Sequence, residues 1–217
     1  AQTLENSPAP EESAQKIADV VISEDLDFVS FTLLSSENNQ VRQNAQVFKK
    51  SYLQEHQMTE KELADLRVEL IPAKIFRGEI MLINSSSPKT PLLSLGVPIV
   101  KNDAGQVTHI AMADFKLDRV SAAFAKKGVR EHFLVDSMGR VFAHFDESFV
   151  LQKKVIKFNE LVSQAVRSPV NYGQTKYYDS ESKQWFFGAF ARNPLGLYAI
   201  VQAPQKVILE PAEVLRR

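Results

Sequence analysis

Two residues of opposite charge stand on β-prone runs, Arg77 in AKIFRGEI and Asp114 in HIAMADFKL. The Arg77 guanidinium is a planar fork suited to a carboxylate, and a strand position just before Gly78 would aim it into a pocket covered by loops. Its plainer reading is a solvated strand end. Period-two alternation puts Asp114 on one strand face with Ile110 and Met112, so its carboxylate sits among apolar side chains and needs a partner. The plainer reading here is a cap for the helix that starts near Lys116. Tyr52, Phe76, Met81 and Met112 would supply the apolar wall that small-molecule sites place around a few polar anchors, or they are simply core. This is the chemistry of binding rather than of turnover.

Catalytic sets are missing from the sequence. There is no Cys, so a disulfide framework, a thiolate nucleophile and a cysteine-ligated metal are all excluded. His56, His109, His132 and His144 are the four histidines, and none has another His or a carboxylate at metal-motif spacing. No G-x-S-x-G elbow occurs, and among only 8 glycines neither phosphate-cradling pattern, G-x-x-x-x-G-K or G-x-G-x-x-G, is found. The expectation is therefore no metal, no cofactor and no enzyme activity. Lys plus Arg and Asp plus Glu number 26 each, which argues against nucleic acid as a partner, because such binders concentrate positive charge. No apolar run approaches the roughly 18 residues of a membrane span. The opening AQTLENSPAP has no initiator Met and reads as a segment with flanking parts on either side.

The elements that must position Arg77 and Asp114 are mostly strands. A chain of 217 residues, 44% hydrophobic, buries one large core or two modest ones, and a repeated hairpin favours two. The hairpin occurs at 97–114, with Asp103, Ala104 and Gly105 at the bend, and again at 131–145, with the turn at Asp136, Ser137, Met138 and Gly139. Asp136 and Gly139 fit turn geometry, since Asp bonds its own downstream backbone and Gly accepts positive φ. Residues 1–24 form a lead-in that gives way to a helix at Glu11, with Pro10 suited to the helix start, and that helix ends before Asp25. Its stripe Ala14, Ile17, Val20 and Val21 is either packed on its own domain or the seam of a homodimer. A strand over 27–34 follows, then a helix predicted over 39–57 from Val41, Ala45, Phe48 and Tyr52, and a second helix opened by the capping box of Thr59 and Glu62. Strands are predicted over 75–83, 91–100 and 106–115, and a connecting helix over 116–126 ends at Gly128. Thereafter come the second hairpin, a helix over 158–167, and strands near 173–178, 184–191 and 197–202, with Trp185, Phe186, Phe187, Tyr177 and Tyr178 massed in this half. The last segment, 205–217, is an exit helix that Pro211 should kink unless the helix restarts there, and Arg216 and Arg217 resemble the basic flank of a membrane span. The fold class is α+β, two antiparallel sheet units with covering helices, at 25–127 and 128–204.

In this order of parts the chain resembles the double Cache family, tandem PAS-like sensor modules of prokaryotic receptors. HIAMADFKL stands where the family's distal unit ends in a strand, Asp136-Ser137-Met138-Gly139 where the proximal unit makes its D-x-x-G turn, and WFFGAF and GLYAIVQ where its late strands fall. The resemblance implies an extracytoplasmic receptor domain, periplasmic or extracellular and anchored by membrane spans. A small metabolite, an organic acid, amine or amino-acid-like compound, is expected in the distal unit. Expected contacts are Tyr52, Phe76, Arg77, Met112 and Asp114, the last at the acidic position that faces a ligand ammonium in the amino-acid-binding version. That version carries Arg, Trp and Tyr around its third strand, where this chain has only Phe76 and Arg77, so a standard α-amino acid is disfavoured. The implied output is a nucleotide cyclase, diguanylate cyclase, histidine kinase or chemotaxis transducer. The competing reading is a non-catalytic protein-interaction or dimerisation module without a small-molecule ligand.

Overall fold

Pro10 opens the first helix, α1 (Pro10–Glu24), in a computed structural model that describes residues 10–214 apart from 39, 127, 157 and 158. Ala18 and Ile22 are buried where α1 lies along the first two strands, while Val20 is 51% exposed. The side chains of Ala14 and Ile17, and the terminal pair Arg216 and Arg217, lie outside the described residues. The chain folds as two compact units, one of Ala1–Ser85 and Leu92–Lys116, the other of Ser86–Pro91 and Leu117–Arg217.

The first unit holds a five-stranded antiparallel sheet of order β2-β1-β5-β4-β3. Its strands are β1 (Phe28–Glu37), β2 (Gln40–Phe48), β3 (Met81–Asn84), β4 (Leu92–Lys101) and β5 (Val107–Lys116). Three short helices cross over: α2 (Lys50–Glu55), α3 (Glu60–Leu66) and α4 (Pro72–Phe76). Thr59 accepts from the Glu62 amide while the Glu62 carboxylate accepts from the Thr59 amide, so the capping box read from the sequence starts α3 as expected. Gln15 of α1 bonds both backbone groups of Gln46 and blunts the exposed edge of β2.

Two expectations for this unit fail. The helix predicted over 39–57 is β2 followed by α2. A hairpin turn with Asn38 at φ 50° lets Gln40 pair with Glu37, and ladder bonds then run to Phe48, so the apparent helical spacing of Val41, Ala45 and Phe48 is coincidental. The strand predicted over 75–83 begins as α4, with Pro72 in its first turn, and only Met81 onward joins the sheet. Arg77 is therefore the C-cap of α4, not a strand residue, and Gly78 follows at φ 95°.

The second unit repeats the plan, with order β7-β6-β10-β9-β8. It contains α5 (Asp118–Phe124), β6 (Glu131–Val135), β7 (Val141–His144), α6 (Ser148–Leu151), α7 (Glu160–Arg167), β8 (Tyr172–Asp179), β9 (Gln184–Arg192), β10 (Tyr198–Pro204) and α8 (Gln205–Val214). Only α6 was not foreseen. α8 runs on through Pro211. At the β6–β7 turn the Asp136 carboxylate accepts from the amides of Met138 and Arg140, and Gly139 has φ 76°. A Cβ on Gly139 would stand 2.4 Å from the Ile156 carbonyl oxygen, so this turn requires glycine twice over. On one sheet face Gly188 gives way to Leu161 of α7, and Asn159, which caps α7, bonds Gln202.

Candidate functional site

Asp114 is 1% exposed, at the middle of the helix-covered face of the first sheet. The register puts Ser30 of β1 on one side of it and Ser94 of β4 on the other. Both hydroxyls donate to its carboxylate, Ser94 to Oδ1 at 2.5 Å and Ser30 to Oδ2. The expected role as a cap for α5 is not the one found, because the residue before α5 is Leu117 and no side chain caps that helix.

Arg67, the C-cap of α3, completes the cluster. Its Nη1 stands 3.2 Å from Asp114 Oδ2 and donates also to Ser30 Oγ, while Nη2 donates to Thr32 Oγ1 at 3.0 Å. Ser94 Oγ additionally bonds Ser85 Oγ. The pair is sealed from water, with the Arg67 side chain 8% exposed. Above and below it lie apolar clusters: Leu34, Leu70, Ile75, Ile83, Ile110 and Met112 form one, and Val29, Tyr52, Leu53, Leu63 and Leu92 the other. A charge buried this deeply persists only where it is paired and hydrogen-bonded, and here both conditions hold.

The residues named from the sequence are spread across this face. Phe76 packs on the cluster that contains Met112, and Tyr52 lies in the other cluster with the Lys116 ammonium 5.2 Å from its ring centre. Arg77 is apart from them: its side chain is 65% exposed and pairs with Glu79 at 3.5 Å. Ile75 fills the space in front of β4 where Gly96 has no side chain, since a Cβ there would come within 2.2 Å of the Ile75 Cδ1. Arg67 was missed. Its signal was available, a single cation in the helical stripe Leu63, Leu66, Leu70. Ser30 and Thr32 were also passed over, because alternation with Phe31 and Leu33 reads as a polar face turned to solvent.

No protein-family model matches the chain, and no curated protein matches its sequence. Solved structures do match. The extracellular domain assigned to histidine kinase mmHK1S-Z3 superimposes with a TM-score of 0.63 at 14% identity, over 95% of this chain and 84% of that one. That of mmHK1S-Z2 gives 0.61 at 14% identity, over 92% and 83%. The ligand-binding domain of the Pseudomonas aeruginosa amino-acid chemoreceptor PctC, in complex with GABA, gives 0.51 at 16% identity, over 92% and 83%. At such identities the likeness is one of fold. The chain has the α+β fold of these extracellular sensor domains, two PAS-like units in series, which is the fold that the resemblance to double Cache modules implied.

Proposed function

We propose that the chain is the extracytoplasmic sensor domain of a membrane-anchored receptor, without catalytic activity of its own. Its first unit, the membrane-distal one, binds a small organic acid, amine or amino-acid-like metabolite. Its second unit and α8 pass the event to an output such as a nucleotide cyclase, a histidine kinase or a chemotaxis transducer. The observation that supports this reading is the Asp114 cluster, a few convergent polar groups flanked by two apolar clusters, which supplies a polar anchor and an apolar wall once a ligand opens this closed face. Asp114 is the polar anchor, Met112, Phe76 and Tyr52 are the apolar wall, and Arg77 is the cation at the rim. A ligand takes over contacts now made by Arg67 and Ile75, so binding is coupled to movement of α3 and α4, and occupancy becomes displacement. The proposal includes homodimerisation through the leading helix, with the exposed Val20 of α1 at the seam.

Thermal-shift screening of the chain against organic acids, amines, sugars and amino acids tests this. The proposal expects a compound that raises the midpoint saturably and loses that effect in Asp114→Asn. A second reading is favoured by the internal satisfaction of Asp114 by Arg67 and by the packing of Ile75 on Gly96. In it the domain is a non-catalytic interaction module with no small ligand. Silence across the whole panel supports that second reading and overturns the first.

A further inference from the structure

The face of the second sheet turned away from α7 bears a groove of about 550 Å³ whose floor is apolar and whose charged side chains, among the described residues, are all positive. Phe187, Ala189 and Val201 lie on its floor, Ile208 of α8 borders it, and Arg130 and Lys176 are its charged residues. Among the described residues, Lys176 and Arg130 make no ion pair and no carboxylate lines the groove. The nearest acidic residue along the chain, Glu131, instead accepts from Gln202 Nε2 at 2.7 Å. The Lys176 ammonium is held 4.7 Å from the ring centre of Trp185 and 5.9 Å from that of Phe187, which keeps a charge beside apolar surface at little entropic cost. Trp185 is 49% exposed.

We propose that this groove is a second binding site, separate from the Asp114 face, for a small carboxylate with an apolar body, of the arylalkanoate or medium-chain alkanoate kind. The volume falls in the range of small-molecule sites, the floor takes the hydrocarbon, and the Arg130 fork and Lys176 take the carboxylate. Charge complementarity selects this occupant over a cationic or neutral one. Binding here orders the β8–β9 edge against α8.

Trp185 is the chain's single Trp and reports on the site through Lys176, whose ammonium lies over its ring. Titration of the intact chain with octanoate and with 3-phenylpropionate should change Trp185 emission saturably, whereas octylamine and octanol should not. Arg130→Gln and Lys176→Gln, both at exposed positions, should each weaken octanoate by about tenfold while leaving the thermal midpoint unaltered. Equal response to octylamine, indifference to both substitutions, or no saturation would overturn the proposal. An emission change that follows protein concentration instead of ligand would mean that a second copy covers this face, and would overturn it as well. Because the Asp114→Asn variant keeps the groove intact, octanoate binding there stands or falls independently of the metabolite site in the first unit.

Discussion

Asp114 and Arg67 make a buried ion pair whose worth depends on what replaces it. Removing one partner strands the other charge away from water, so Arg67→Leu or Asp114→Leu alone should each lower the unfolding free energy by about 3–5 kcal/mol. The double variant Arg67→Leu/Asp114→Leu should lose much less than the sum of the two, because no unpaired charge remains, although Ser30, Ser94 and Thr32 forfeit partners. Urea unfolding of the four chains measures this; simple additivity would mean that the two residues do not act as a pair. His144 offers a second test at the same scale. Its ring stacks on Phe149 at 4.2 Å, its Nδ1 accepts from the Asp146 amide, and burial pushes its pKa below the usual 6.5, with Lys154 acting the same way and Asp146 and Glu131 opposing. The unfolded chain takes up this proton more readily than the folded one. Stability linked to His144 is thus intact above about pH 6.5 and is lost as pH falls through the folded value. The urea midpoint of the wild type should drop over that interval, and His144→Phe should flatten the drop.

Each short element is held by one or two local devices. The Thr59–Glu62 box fixes the start of α3, whose far end presents Arg67, so Thr59→Ala should cost about 1 kcal/mol and loosen the Asp114 cluster with it. Gly96→Ala drives a Cβ into Ile75, which is fully buried on α4, and should cost about 1–3 kcal/mol; pairing it with Ile75→Val should recover part of the loss. Calorimetric midpoints of these variants check both expectations. Elements with strong local signals were legible in the sequence, namely α1 at Pro10, the capping box, the D-x-x-G turn and the alternating strands β4, β5 and β9. Elements decided by tertiary pairing were not. β2 is polar at most outward positions and becomes a strand because β1 offers it a ladder, and α4 looked like a strand because Ile75, Phe76 and Ile80 are β-prone. Site residues followed the same division. Asp114 could be read from strand alternation and Arg67 from its place in an apolar stripe, but their pairing was hidden by the 47 residues between them, and Arg77 was assigned to a strand that does not include it.

For the molecule as a whole, two sheets of matching strand order make a duplicated plan, and duplication lets the units take different work. The first sheet turns a sealed polar cluster toward its helices, while the second leaves a cationic, apolar-floored groove on its open face. The most direct test of the central claim is a two-dimensional amide spectrum of the labelled chain titrated with a metabolite found by thermal-shift screening. The account predicts shifts gathered on β1, β4 and β5 around Ser30, Ser94 and Asp114 and on α3 and α4, and their loss in Asp114→Asn. Shifts confined to the second sheet, or a binding compound that leaves Asp114 and its neighbours unmoved, would contradict it.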